Sequence, residues 1–263
     1  MILERLAAAA RQRVRRQQEL TPLPVLQAAV RKQSAVTGFP FEAALRDPEL
    51  SFICEIKQAS PSQGMLAAEF PYREIAREYQ QAGAAAISVL TEPDYFRGRD
   101  EYLAEIRREV TVPLLRKDFT IDPYQLYQAR LLGADAVLLI CALLDTAALR
   151  HFLTVCDELG LSALVEAHDE REIESALAAG ARVIGVNNRN LRDFSVDLNT
   201  SLRLRRLVPE PLLFVAESGI RTAADINQLR QSKVNGVLIG EALMRSPDKR
   251  KMLAELRSPG SPV

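Results

Sequence analysis

The feature that most constrains this chain is a repeated alternation between short apolar runs and longer segments of helical periodicity, which begins near residue 50. The cycle recurs about every 20 to 35 residues and can be counted eight times. We predict strands at residues 51–57, 86–90, 113–117, 134–140, 162–166, 183–187, 212–217 and 236–239. The predicted helices are residues 72–82, 100–108, 123–132, 146–159, 170–179, 199–207, 223–231 and 248–256. This order is typical of an α/β fold.

The composition of the predicted strands indicates a parallel sheet. Their apolar residues follow one another without alternating polar positions, as strands covered on both faces require. Glycines at the ends of three predicted helices, Gly83, Gly133 and Gly180, indicate tight turns into the next strand. Right-handed crossovers are compatible with an open doubly wound sheet and with a closed barrel. Eight repeats without a Rossmann glycine fingerprint favour a (β/α)8 TIM barrel.

The first 49 residues precede the first predicted strand and form a predicted N-terminal helical extension. They begin with an Arg-rich amphipathic segment that faintly resembles a transit peptide, but Glu4 and Glu19 argue against that interpretation. Prolines, among them Pro22 and Pro40, interrupt the later part. We therefore predict one or two helices and a loop that pack against the barrel.

The domain prediction is a single unit over residues 1–263. A length of 263 residues would also allow two ordinary domains, but no shift in composition marks a second one. Within this unit, residues 1–49 are the extension, residues 50–257 the barrel and residues 258–263 a tail rich in Pro and Gly that is predicted to be disordered.

Charge and cysteine content exclude several classes of function. Lys and Arg together number 34, as do Asp and Glu, so there is no net field that would attract nucleic acid or a membrane surface. The longest apolar run, residues 136–144, is too short to span a bilayer. Cys54, Cys141 and Cys156 lie in apolar segments without metal-site spacing. We expect a cytoplasmic protein, monomeric or a weak homodimer, without a nucleic-acid or membrane partner.

Ionisable and amide side chains stand where six of the eight predicted strands end. Because the carboxyl ends of all strands in such a barrel face one mouth, these residues are expected to converge there. A polar residue at one strand end means little, whereas six such ends indicate a functional site. They are Glu55, Lys57, Thr91, Glu92, Lys117, Asp118, Glu166, Asn187, Asn188, Arg189, Glu217 and Ser218.

The expected cluster suits acid and base chemistry better than metal binding. Lys57 and Lys117 would stabilise the ionised forms of the nearby glutamates, while burial would oppose ionisation, and the sequence leaves the outcome open. The same two ammonium groups would repel a divalent cation, so we predict no metal and no cofactor. His168, just after Glu166, is interpreted as a supporting or solvent-facing residue.

Three segments are candidates for binding a phosphate group. The Ser- and Pro-containing loop around Ser60 follows the first strand. Ser218-Gly219 and Gly240-Glu241 follow the seventh and eighth strands, where barrels commonly bind phosphate through glycine and backbone N–H groups. The two segments after the seventh and eighth strands are the stronger candidates. At Glu241 the backbone amide is the expected contact, because its carboxylate would repel phosphate.

These residues resemble the motifs of the indole-3-glycerol phosphate synthase family over nearly the whole chain. The match begins with residues 55–64 (EIKQASPSQG), which are similar to the family signature E-x-K-x-x-S-P-S-x-G. Six further segments follow in the family's order: residues 88–92 (SVLTE), 115–119 (LRKDF), 164–166 (LVE), 185–191 (GVNNRNL), 216–220 (AESGI) and 238–240 (LIG). Gln58 and Gln63 depart from the family, in which lysine is frequent at both positions.

The resemblance implies ring closure, decarboxylation and dehydration of 1-(2-carboxyphenylamino)-1-deoxyribulose 5-phosphate to indole-3-glycerol phosphate in tryptophan biosynthesis. In this carboxy-lyase reaction it assigns Lys117 as the acid that protonates the ketone oxygen. Glu166 and Lys57 are the candidates for one further acid and one base, in an order that stays open. Glu55 is expected to orient a lysine.

The resemblance also implies how the chain holds an anionic sugar phosphate. Lys57 and Arg189 would bind the substrate carboxylate, and Asn187 and Glu217 the sugar hydroxyls. The expected phosphate contacts are Ser60, Ser218, Gly219, Gly240 and Glu241, and the expected apolar slot for the benzene ring is Phe96, Phe119 and Leu138.

Two other functions are compatible with such a barrel. One is an isomerase or decarboxylase of another sugar phosphate, against which the two lysines, Glu166 and the N-terminal extension argue. The other is a non-catalytic barrel that binds a phosphorylated metabolite, against which the acid and base candidates argue. Turnover of the substrate distinguishes all three.

Overall fold

Eight parallel strands close into a barrel in the computed structural model, which describes residues 2–33, 38–67, 69–191 and 193–258. The strands are β1 (Ser51–Ile56), β2 (Ala86–Leu90), β3 (Leu114–Lys117), β4 (Ala136–Ile140), β5 (Ser162–Ala167), β6 (Val183–Asn187), β7 (Leu213–Glu217) and β8 (Gly236–Ile239). Each strand pairs with its sequence neighbours, and β1 pairs with β8 to complete the ring. The predicted (β/α)8 barrel is thus confirmed.

The helices cover the outside of the barrel and its two ends. Three precede the barrel: α1 (Ile2–Leu20), α2 (Leu23–Arg31) and α3 (Pro40–Leu45). The others within the described residues are α4 (Tyr72–Gln81), α5 (Pro93–Phe96), α6 (Asp100–Glu109), α7 (Tyr124–Leu132), α8 (Thr146–Leu159), α9 (Glu170–Ala179), α10 (Asn199–Arg205), α11 (Ala223–Gln231), α12 (Glu241–Arg245) and α13 (Lys249–Arg257).

The predicted strands and helices agree with the observed ones to within about two residues at each end. The glycine caps are confirmed where the chain turns left-handed, as at Gly133 (φ +86°) and Gly180 (φ +93°). Short elements escaped prediction: α5, α12 and a hairpin that pairs Ala59–Ser60 with Gly64–Met65. They lack enough residues to show a period.

Within residues 2–33 and 38–49 the extension contains three helices, so the prediction of one or two helices and a loop was wrong. The prolines that were interpreted as interruptions stand instead at helix starts. Pro22 is the N-cap of α2, and Pro40 is the first residue of α3. At these positions the missing N–H of proline costs nothing, because the first amides of a helix have no partner within it.

Two apolar layers hold the barrel together. The outer layer lies between the strands and the surrounding helices, and the inner layer fills the barrel itself. Phe41 and Leu45 of α3 belong to the inner layer and are fully buried, so α3 closes the amino end of the barrel. The opposite end is therefore the open mouth.

Helices α1 and α2 pack on the side of the barrel. Val14 and Leu26 form a small apolar cluster with Tyr124 of α7, whose hydroxyl donates to the backbone oxygens of Gln17 and Thr21 at 3.0 and 2.9 Å. Each helix in the described part of the chain is too short or too polar to cross a membrane. Of the predicted disordered tail, residues 259–263 lie outside the described residues.

Candidate active site

A cavity of about 510 Å³ opens at the carboxyl ends of the barrel strands. The fifteen residues to which the resemblance assigns a catalytic or binding role all line it, although they come from the eight strands and the loops that follow them. They are Glu55, Lys57, Ser60, Phe96, Lys117, Phe119, Leu138, Glu166, Asn187, Arg189, Glu217, Ser218, Gly219, Gly240 and Glu241. The structure brings these residues together, and the role of each stays a prediction.

Lys117, at the end of β3, lies between two glutamates, Glu166 of β5 and Glu217 of β7. Its Nζ donates a hydrogen bond to Glu217 Oε2 at 2.9 Å and is 3.6 Å from Glu166 Oε2. Burial opposes the charged ammonium, but Glu217 and Glu166 outweigh it and raise the pKa of Lys117. Lys117 is therefore a cation at neutral pH.

Glu217, the closer partner of Lys117, has a shifted pKa of its own. Burial raises the pKa of Glu217 to about 7, with a contribution from the Glu166 carboxylate, although Lys117 acts in the opposite direction. Its second oxygen, Oε1, is buried and makes no hydrogen bond within the described residues. A buried acceptor of this kind is suited to a ligand hydroxyl.

The raised pKa of Glu217 leads to a prediction about stability. The folded state holds this proton to about pH 7, whereas the ordinary value is 4.5, so the stabilisation is present below pH 4.5 and is lost as the pH rises to about 7. Denaturant unfolding across this range should show that Glu217→Gln gains stability relative to the unmodified protein as the pH increases. If the free energy of unfolding changes with pH in the same way in both proteins, the prediction is contradicted. Glu174→Gln, at an exposed position of α9, is the control.

Lys57, just after β1, forms a second ion pair. Its Nζ is 2.5 Å from Glu55 Oε1. Burial opposes ionisation of Glu55, yet Lys57 and then Lys117 outweigh it and lower the pKa of Glu55. Gly240 makes room for this pair, because a Cβ there would lie 2.3 Å from Glu55 Oε1. Steric space for Glu55 is thus a reason for Gly240 in addition to its predicted phosphate contact.

Arg189, in the loop after β6, faces the first residue of α12. Its Nη2 is 3.4 Å from Glu241 Oε2, and Arg245 Nε is 3.6 Å from the other oxygen of Glu241. Asn187 holds the turn, since its Oδ1 accepts from the backbone N–H of Arg189 at 3.0 Å. Arg189 and Arg245 therefore offset the negative charge of Glu241, whose carboxylate was expected to repel phosphate.

The loop after β7 has an unusual backbone. Ser218 (φ +68°) and Gly219 (φ +83°) are both left-handed, and a Cβ at Gly219 would lie 2.5 Å from Val196 Cγ1. A left-handed non-glycine residue costs about 1–3 kcal/mol and is concentrated at functional sites. Across the cavity, Ser60 is buried in the short hairpin after β1.

Apolar side chains cover one wall of the cavity. The rings of Phe96 and Phe119 are 6.1 Å apart between centroids and inclined by 40°. Leu138 belongs to the inner apolar layer, against which Phe119 packs. An apolar wall that contains two aromatic rings is suited to a flat aromatic group.

Helix α1 closes another side of the cavity and is tied to β3. Arg13 Nη2 donates to Asp118 Oδ1 at 2.7 Å, and Nη1 is 3.7 Å from Glu92 Oε1. Glu92 in turn accepts from three backbone N–H groups of α5, including that of Phe96. The apolar residues of α1 that line the cavity are Ile2, Leu3 and Leu6.

Sequence reasoning missed several residues of the cavity wall. Leu191 and Phe194 belong to the loop after β6, and Arg245 and Met252 to the last two helices. Leu191 ends the matched segment 185–191 but was given no role, and the loop around Phe194 shows no period that could have signalled it. Arg245 could have been found from the sequence, because it is a cation about one helical turn beyond Gly240, a predicted phosphate contact.

A closed barrel with two ammonium groups among carboxylates and an apolar wall at its mouth defines an acid–base enzyme of the (β/α)8-barrel class. Residues 3–256 match the family model of indole-3-glycerol phosphate synthase. The chain belongs to the indole-3-glycerol phosphate synthase family, as the motifs indicated. It is accordingly a carboxy-lyase of tryptophan biosynthesis.

Individual relatives agree along their whole length. The chain is 54% identical over 257 residues to the indole-3-glycerol phosphate synthase of Ruminiclostridium cellulolyticum, with 98% of this chain and 99% of the relative covered. It is 48% identical over 269 residues to that of Lachnoclostridium phytofermentans, with the same coverage. A solved 3-hexulose-6-phosphate synthase superposes with a TM-score of 0.63 at 15% identity, over 79% of this chain and 98% of that one, and shows the fold alone.

Proposed function

We propose that this cavity closes the indole ring of 1-(2-carboxyphenylamino)-1-deoxyribulose 5-phosphate and releases carbon dioxide and water. One observation carries the proposal: the Lys117 ammonium lies between Glu217 and Glu166 in the cavity that Phe96 and Phe119 line. When an aromatic carbon attacks a ketone, the aromatic ring has to be held in place and the ketone oxygen needs a nearby cation that can protonate it. The slot and the ammonium are suited to these two tasks.

Lys117 is the proposed acid of the ring closure. As the carbon–carbon bond forms, the ketone oxygen gains negative charge and needs a proton. An ammonium kept charged by two carboxylates can hydrogen-bond to this oxygen before it transfers the proton. General acid assistance of this kind typically accelerates a reaction by about 10²- to 10⁴-fold.

Glu166 and Lys57 are the proposed groups for the later steps. After carbon dioxide leaves, a hydroxyl must depart with a proton, and the ring must lose one. Glu166 touches Lys117 from the fifth strand, while Lys57 enters from the first, so the two groups approach the substrate from different sides. Single Glu166→Gln and Lys57→Met variants, each with its own pH–rate profile, separate the acid from the base.

The remaining residues are proposed to bind the substrate. Lys57 and Arg189 take the carboxylate that is later lost, and Asn187 and Glu217 take sugar hydroxyls. The buried Oε1 of Glu217 supports that role. The apolar slot takes the benzene ring, through Phe96, Phe119 and Leu138. The phosphate is proposed to bind Ser60, Ser218, Gly219, Gly240 and the backbone amide of Glu241.

We also propose that residues 1–263 work as one domain, a cytoplasmic monomer or weak homodimer. Contacts between the extension and the barrel support the single domain, for example Tyr124 with the end of α1. Cys54 and Cys156 are buried thiols, which suits a reducing compartment. Sedimentation of the purified protein over a range of concentrations tests the oligomeric state.

The reaction itself can be followed by the fluorescence of the indole product. The chain has no Trp, so its own near-ultraviolet emission will not mask that of indole. Adding the substrate should give a steady rise in fluorescence and one carbon dioxide per indole formed. Tight binding of the substrate without either product would instead support the non-catalytic alternative and overturn the proposal.

A further inference from the structure

We propose that His168 is a positioning residue: held by Glu172, it shares a proton with Glu166 and so fixes the protonation state in which Glu166 acts. His168 directly follows β5, two residues beyond Glu166, and lines neither the apolar slot nor the phosphate loops. The inference rests on the proposed acid or base role of Glu166.

Glu172, in the first turn of α9, anchors the histidine twice. Its Oε2 accepts from the backbone N–H of His168 at 2.7 Å and lies 3.0 Å from the ring Nδ1. Asp169 in turn fixes the helix, since its Oδ1 accepts from the backbone N–H of Glu172 at 2.9 Å. Because a carboxylate is only an acceptor, the proton of the ring stands on Nδ1.

The other ring nitrogen faces Glu166. His168 Nε2 is 3.4 Å from Glu166 Oε1, and it is buried without a hydrogen bond among the described residues. A neutral ring that donates from Nδ1 presents a lone pair at Nε2, and an ionised Glu166 also presents lone pairs. Two facing acceptors repel each other, so one more proton must lie on this pair, either on the ring or on the carboxyl.

The charges around this pair favour the imidazole ring of His168 as the site of the additional proton. Burial lowers the pKa of His168, but the hydrogen bond to Glu172, followed by the charges of Glu166, Glu172 and Glu217, outweighs it and raises that pKa. Cys141, from the loop after β4, contacts the backbone oxygen of Glu172 and is a neutral thiol, since burial raises its pKa to about 12.

Glu166 therefore has a cation at each oxygen. Lys117 Nζ is 3.6 Å from Oε2, and His168 Nε2 is 3.4 Å from Oε1. With the additional proton on the imidazole ring, Glu166 is left able to accept a proton from the substrate. When Glu166 has taken that proton, the adjacent positive charge favours its release. A histidine outside the substrate contacts can in this way tune the acid–base step.

The first test compares pH–rate profiles. His168→Gln retains a neutral donor and removes the titrating imidazole, so Glu166 loses one of its two cationic neighbours and the acidic limb of kcat should move to higher pH. We expect kcat to fall by about 10- to 100-fold, the size that orienting partners of reactive groups carry, with a smaller change in KM. His151→Gln on the exposed face of α8 is the matched control. An unmoved limb with unchanged kcat would overturn the proposal.

The second test does not depend on turnover. The imidazole signals of His168 can be titrated by nuclear magnetic resonance in the unmodified protein and in Glu166→Gln, with His151 as the internal reference. Loss of the Glu166 charge should lower the pKa of His168. An identical titration in both proteins would overturn the sharing of a proton, whereas a protein without turnover but with the expected shift would contradict only the proposed function.

Discussion

Replacing Lys117 with alanine is expected to lower kcat by at least about a hundredfold, because the variant lacks the acid of the ring closure. KM should change less, since Lys57 and Arg189 are the proposed contacts of the substrate carboxylate. The measurement is the initial rate of indole fluorescence over a range of substrate concentrations. Near-normal turnover would remove Lys117 from the mechanism.

The Lys117→Ala protein is expected to remain folded. Removal of the ammonium leaves the carboxyl groups of Glu217 and Glu166 in the cavity without the cation between them. Burial already raises the pKa of Glu217 to about 7. A carboxyl group in this position takes up a proton and becomes neutral instead of unfolding the barrel. An unchanged far-ultraviolet circular dichroism spectrum checks this expectation, and Lys251→Ala, a side chain that is 73% exposed, is the control for both measurements.

The barrel could be predicted because its strands follow one simple rule. Runs such as Val183–Asn187 and Gly236–Ile239 are apolar on both faces, and the structure buries nearly all of their residues between the inner and outer layers. Once eight such strands close, their carboxyl ends must share one mouth. The convergence of Lys57, Lys117 and Glu166 therefore follows from the strand order and needs no knowledge of side-chain contacts.

The pairing inside the mouth could not be predicted in the same way. The sequence placed two lysines near three glutamates, but the partner of each depends on strand register and on side-chain rotamers. In the structure Lys117 contacts Glu217 more closely than Glu166. One signal was present: Gly185, within a strand, where a Cβ would lie 2.3 Å from Glu217 Oε1. A glycine inside a strand often marks such a close approach.

The attachment of α1 also depends on contacts that sequence patterns do not show. Asp118 follows a strand end and lines the cavity, in agreement with its grouping among the polar residues of the mouth, but it is 2% exposed and its hydrogen bonds go to structural partners. Its Oδ1 accepts from Arg13 and from the backbone N–H of Phe119, and its Oδ2 accepts from Thr91 Oγ1 at 3.0 Å. Arg116 Nη2 is 3.6 Å from the same oxygen.

Replacement of Asp118 by alanine should therefore destabilise the protein by about 3–5 kcal/mol, the range for removing one partner of a buried ion pair. Among the residues that the structure describes, the change leaves Arg13 with the more distant Glu92 alone as an ion-pair partner, and it deprives the Thr91 hydroxyl of its acceptor. The change in the free energy of unfolding can be measured by urea titration with circular dichroism. Exposed Glu174→Ala is the control, and a loss below about 1 kcal/mol, the value for an exposed ion pair, would contradict the argument.

A double-mutant cycle separates the ion pair from the other contacts of Asp118. If Arg13 and Asp118 stabilise each other, Arg13→Ala in the Asp118→Ala background should cost less than in the unmodified protein. Additive effects would instead assign the loss to Thr91 and to the backbone of Phe119. Because Asp118 lies between Lys117 and Phe119, this ion pair connects α1 to the segment that carries the proposed acid and one ring of the aromatic wall.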